Sequence, residues 1–339
     1  MKSVEIALVD SKKTYVVDYL KGFSIFTIAL MHLLQMMSNV PSKVLKLSAI
    51  GGTGVHVFFV CSGLGLYLSY LNKKTTYVEF LKKRFMKIYI PYIIVVVISF
   101  FFPWMYTGND RIYALLSHIF LYKMFIPQYE SSFGIHFWFV STIIQFYIVF
   151  IPMCLIKDKI KKNSIFFFMF LMISIGWWVL CYIVDVTDVR VWNSFFLQYI
   201  WEFSLGMILA DILNKGKRIR INAIALTAFS LVGIGLQAFM AMRSGALKIF
   251  NDVPALVGYT CLALLLMTIP IIKKCGEQLS KISYEYYLIH ILVFSSIMRI
   301  VLKDSLMMQG IFGLIGIAVA ITAACFYHKV VTIIIKRAL

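Results

Sequence analysis

Charged residues are scarce in this chain. Asp, Glu, Lys and Arg make up only 14% of 339 residues, where a soluble protein carries about a quarter. That shortage, with 61% hydrophobic composition and a mean hydropathy of +0.87, excludes an ordinary soluble globular protein. Cysteine is sparse as well: Cys61, Cys154, Cys181, Cys261, Cys275 and Cys325 lie in or beside apolar runs, none in a CxxC pair. They read as small apolar residues, and neither a disulfide framework nor a metal site is expected from the spacing of ligand-type side chains. No Pro/Ser-rich linker or low-complexity tract divides the chain, so residues 1–339 are expected to form a single transmembrane domain. No convincing internal repeat is present, which counts against a secondary transporter. The first apolar run lacks a small-residue cleavage site and is long enough to span, so a cleavable signal peptide is not expected.

What the chain does have is ten long apolar runs, at about 18–38, 52–71, 88–105, 136–156, 164–184, 194–213, 222–242, 253–272, 282–302 and 308–334. Each is near the ~20 residues a helix needs to cross a bilayer. The expected fold is all-α: a polytopic membrane protein, a bundle of about ten transmembrane helices. The net charge of +18 raises the possibility of nucleic acid, but its placement argues otherwise. Most Lys and Arg residues fall in alternate connections, and the opposite connections hold only Lys43, Lys46, Arg111, Lys123, Arg190, Arg243, Lys248 and Lys303. That asymmetry predicts a cell-membrane protein with both termini in the cytoplasm, in contact with lipid and not with nucleic acid. The longest connection, 106–135, faces outside. Its segment Arg111–Phe125 lies on the surface or dips into the membrane; if it spans, the count becomes eleven.

The first run contains Asp18, Lys21 and His32. Ionisable groups are rare in membrane helices unless they have a use. Eleven residues is close to three turns, so Lys21 and His32 fall roughly 20° apart around the axis and about 16 Å apart along it. Asp18 lies near the same stripe. A snorkelling anchor accounts for Lys21 equally well, and a packing histidine is the bland reading of His32. A neutral imidazole at that depth also has a basic nitrogen that can take a proton from a hydroxyl attacking an acyl carbonyl.

Asp18-Tyr-Leu-Lys21-Gly22, with His32 eleven residues after the lysine, resembles the opening of the acyltransferase 3 family of integral-membrane acyltransferases, with Lys where the family usually has Arg. The likeness continues. Gly51-Gly52-Thr53-Gly54-Val55-His56-Val57-Phe58-Phe59-Val60-Cys61-Ser62-Gly63 is similar to the family's Gly-rich entry to the second span, with His56 at a variable place. Phe80-Leu-Lys-Lys-Arg84-Phe-Met-Lys87-Ile88, followed by Pro91, resembles its basic stretch before the third, and Arg84 and Lys87 share a helix face. His136-Phe137-Trp138 opens the fourth, followed by a polar stripe of Ser141, Thr142 and Gln145. The sixth carries Glu202 and Gly206. The ninth, Ser283-Tyr284-Glu285-Tyr286-Tyr287-Leu288-Ile289-His290, is similar to the family's Ser-Tyr-x-x-Tyr-Leu-x-His, with Ser283, Tyr287 and His290 on one face.

The resemblance implies transfer of an acyl group, expected to be acetyl, from acyl-CoA (acetyl-CoA) to a hydroxyl of a cell-envelope polysaccharide or lipid-linked sugar. His32 and Lys21 are then the catalytic candidates. Asp18, Arg84, Lys87, Trp138, Glu202, Tyr287 and His290 are candidates for donor or substrate binding. A thioester is already activated, so no bound cofactor or metal is expected. The alternative is a membrane exporter of a glycan or lipid-linked sugar, distinguished by translocation without acyl incorporation.

Overall fold

A computed structural model describes residues 15–217, 221–243, 249–301 and 305–338. Among them the regular structure is helical, with no strand. The helices, in chain order, are α1 Tyr15–Met36, α2 Ser42–Ser48, α3 Gly54–Asn72, α4 Tyr77–Phe100, α5 Arg111–Ile119, α6 Trp138–Lys159 and α7 Asn163–Ile183. They continue with α8 Arg190–Asn193, α9 Phe196–Asn214, α10 Ala223–Arg243, α11 Asp252–Leu266, α12 Pro270–Ser280, α13 Ser283–Ile300 and α14 Leu306–Ala338. Apolar runs of this length become helices because a backbone in hydrocarbon must satisfy its own N–H and C=O groups. Large side chains such as Phe168, Leu231, Leu314 and Phe326 point outward, as lipid-facing surfaces require.

Among the described residues, seven helices are long and apolar enough to cross a membrane, or eight if α11 and α12 count as one broken span. The expectation of about ten is therefore slightly high, for local reasons. The run expected at 88–105 lies in α4, whose first turns carry Glu79, Lys82, Lys83, Arg84 and Lys87. The run at 282–302 is α13, which carries Glu285, His290, Arg299 and three tyrosines. The run at 253–272 turns through 116°, because Pro270 forces Ile269 into extended backbone before α12 begins. The 106–135 connection adds no span: α5 has nine residues and reaches about 13 Å, less than half a hydrocarbon core. Of the charges used for orientation, those before Tyr15 and Arg218, Arg220, Lys248 and Lys303 lie outside the described residues.

The chain forms two compact units, each assembled from three separate segments. One comprises the described residues within 1–26, 50–76 and 145–281; the other comprises those within 27–49, 77–144 and 282–339. In the first unit α3 packs along α9, α7 covers α9, and α10 lies against α11. The α3–α9 contact is made through backbone. A Cβ on Gly63 would collide with the carbonyl of Phe203, and one on Gly206 with the carbonyl of Val60. Small residues let helices approach this closely where no hydrophobic effect drives them together. In the second unit α13 packs on α14 and α4. Tyr284 Oη donates to Ile88 O (2.7 Å) and Tyr327 Oη to Pro91 O (2.6 Å), tying α13 and α14 to α4 around its internal proline.

Substituting Gly206→Val is expected to cost about 1–3 kcal/mol through overpacking. The measurement is the midpoint of thermal denaturation in detergent, which should fall; an unchanged midpoint would show that α3 and α9 do not touch through backbone.

Candidate active site

Three imidazoles converge in the second unit. His32 comes from α1, His290 from the middle of α13, and His136 from the 3-10 turn Ile135–Phe137 that precedes α6. His32 Nδ1 lies 2.9 Å from His290 Nε2, and the two rings stack with centroids 5.1 Å apart. His136 presents an edge to both, at 4.9 Å from His290 and 6.2 Å from His32. Its turn is launched by Gly134 at φ +144°, a backbone region closed to other residues, where a Cβ would also meet the His136 ring. Tyr287 Oη donates to the carbonyl of His136, so α13 holds the turn in place.

The hydrogen bonds of His32 and His290 fix how protons are distributed between these two rings when both are neutral. His290 Nδ1 faces two acceptors of its own helix, the carbonyls of Tyr287 at 2.7 Å and Tyr286 at 3.1 Å. Neither carbonyl has a hydrogen to give, so Nδ1 carries the proton and Nε2 keeps a lone pair. That lone pair accepts from His32 Nδ1–H. His32 is left with its own lone pair on Nε2, the nitrogen that makes no hydrogen bond among the described residues. His290 and His136 are buried, whereas His32 is part-buried. The residue that this pairing leaves with an unbonded nitrogen is thus the least buried of the three.

The other sequence candidates are distributed as follows. Asp18, Lys21 and His32 all lie on the continuous helix α1. Arg84 is part-buried on α4 against the ring of Phe80, and its buried Nε has no partner among the described residues. Lys87, one turn on, is exposed. Trp138 is half-buried at the start of α6. Gln145 does not line an open stripe: its Oε1 accepts from the N–H of Phe196, capping α9 at 3.1 Å. The Tyr287 hydroxyl is committed to the backbone of His136, which makes it a positioning group.

Glu202 belongs elsewhere. In the first unit its Oε1 accepts from His56 Nδ1 at 2.7 Å, and Asp252 Oδ1 lies 3.8 Å from the other nitrogen of His56. Residue spacing carries no sign of this grouping, because the three side chains come from α3, α9 and α11. His136 and His56 lie within the family-like motifs, which assign neither a role. The usable signal was the one that flagged His32, an ionisable group in or at the end of an apolar run.

His118, between the spans, is structural. Ser132 Oγ gives its hydrogen to Tyr129 O, so it accepts from His118 Nε2, and Tyr92 Oη donates to Nδ1. Burial, then the nearby Lys123, pushes the His118 pKa well below the ordinary histidine value, keeping the ring neutral. His328 pairs with Glu285 at 2.9 Å.

A family model described as an acyltransferase domain matches residues 14–329. No curated protein and no solved structure matches the chain.

In protein labelled with 15N-histidine at neutral pH, His32 and His290 are both expected in the Nδ1–H form, with unprotonated Nε2. Spectra assigned by comparison with His32→Asn and His290→Asn read this directly. A proton on Nε2 of neutral His32 would contradict the arrangement.

Proposed function

We propose a specific reaction for this chain, which belongs to the acyltransferase 3 family: transfer of an acyl group, acetyl being the simplest, from acyl-CoA to a hydroxyl of a cell-envelope polysaccharide or lipid-linked sugar. Family membership and the apolar helices establish a multi-pass membrane acyltransferase. The donor, the acetyl group and the glycan acceptor are our reading. The observation that carries it is the His32–His290 hydrogen bond, which leaves one basic imidazole nitrogen on a part-buried ring.

In the proposed step His32 Nε2 takes the proton of the sugar hydroxyl as its oxygen attacks the thioester carbonyl. The new C–O bond forms, the C–S bond breaks, and the departing thiolate recovers the proton from His32. While His32 is an imidazolium, its Nδ1–H bond to the His290 lone pair becomes charge-assisted and stronger. His290 is therefore a positioning residue that fixes the tautomer and steadies the charge, and the His136 edge and the Tyr287 tether set where the pair stands. Arg84 and Lys87 supply the anion-binding charge for the phosphates of the donor, with the unpartnered Nε of Arg84 in support. Lys21, on the His32 helix, adds positive potential on the donor's approach, and Asp18 and Trp138 remain candidate contacts. With both termini in the cytoplasm of a cell membrane, the basic start of α4 faces the compartment that contains acyl-CoA.

His32→Ala is expected to abolish acylation, and His290→Ala to lower kcat about 10²–10⁴-fold, with both proteins inserted at wild-type levels. The assay supplies membranes with labelled acetyl-CoA and follows label into glycan. Full incorporation by the His32 variant would remove it as base, and glycan translocation with no label incorporated by wild type would favour an exporter. Arg84→Ala is expected to raise KM for acyl-CoA more than KM for the acceptor, and equal effects on both would count against a donor site there.

A further inference from the structure

We propose that His56, Asp252 and Glu202 form a binding site for a divalent transition-metal cation in the first unit, beyond the acyl-transfer chemistry of the histidine pair. Glu202 and Asp252 are buried, and one ligand atom from each of the three residues lies within 4.8 Å of the others. Glu202 Oε1 accepts the hydrogen of His56 Nδ1 at 2.7 Å. In a neutral ring that donation leaves a lone pair on His56 Nε2, which lies 3.8 Å from Asp252 Oδ1. The gap is too long for a hydrogen bond. It suits two atoms that share one ion through bonds of about 2.0–2.2 Å. A carboxylate that orients a histidine through its far nitrogen is the usual support of a metal-bound imidazole.

A second, independent observation comes from Gln198, which is 2% exposed. Its amide nitrogen donates to Asp252 Oδ2 at 2.6 Å and to Ile249 O at 3.1 Å. Two acceptors on one end identify that end as the nitrogen. Its Oε1 is buried without a partner among the described residues, and so is Glu202 Oε2. Two oxygens of the cluster thus keep lone pairs that no hydrogen among the described residues satisfies. Two carboxylates in a low-dielectric interior also require positive charge. A cation answers both demands. One imidazole nitrogen with carboxylate and amide oxygens suits Zn²⁺ or a neighbouring first-row ion better than Ca²⁺, which takes six to eight oxygens.

The test uses the full-length, tag-free protein in detergent. It is stripped with EDTA, titrated with ZnCl₂ by calorimetry, desalted and analysed for metal. Wild type is expected to keep one zinc per chain. Asp252→Asn and His56→Gln should each weaken binding at least tenfold, and Glu202→Gln about 10–100-fold through the orienting bond. Where one variant fails to fold, the others and the wild-type stoichiometry still decide. A wild-type protein that keeps no zinc, or Asp252→Asn and His56→Gln proteins that bind it as tightly as wild type, would overturn the site.

Discussion

The carbonyl groups of Tyr286 and Tyr287 set the chemistry of the candidate active site, because they take the hydrogen of His290 Nδ1 into the wall of its own helix. A histidine in water is free to choose its tautomer. Here the choice passes from backbone to His290, from His290 to His32, and ends on the Nε2 lone pair of a part-buried residue. An aspartate placed behind a catalytic histidine performs the same orienting task. In a hydrocarbon setting a neutral imidazole does it without bringing another full charge into the bilayer. The turn holding His136 and the tether from Tyr287 serve to keep this chain of bonds in register.

The segments that build the fold were readable wherever one physical rule dominated. Apolar length located the helices, because water-free surroundings leave the backbone no other option. The count came out slightly high where that rule met a competitor: the charged turns opening α4, the polar face of α13 and the proline that breaks α11 from α12. Within the site, His32 stood out as an ionisable group deep in a span, and His290 as its likeness in another. The bond between them was not legible, since they are separated by 258 positions and nothing in either local sequence refers to the other. The same holds for His56, Glu202 and Asp252, whose association exists only once α3, α9 and α11 are packed.

Polar side chains elsewhere in the bundle follow a common economy of satisfaction. Gln145 caps a helix and Gln198 bridges a carboxylate and a carbonyl, while His118 joins a tyrosine to a serine. Their partners reveal a structural assignment. Buried polar atoms without a partner among the described residues include both ring nitrogens of His136, the Nε of Arg84, and the oxygens Glu202 Oε2 and Gln198 Oε1.

The touching backbones of α3 and α9 have a mechanical corollary. Gly63 rests on the carbonyl of Phe203, the immediate neighbour of Glu202, and Gly206 rests on the carbonyl of Val60, one turn from His56. With no side chain interposed, that crossing works as a spacer of zero thickness. It sets the interval between an acid and an imidazole with the tolerance of a covalent frame, and even a single methyl group there would act as a wedge on a pair it never touches.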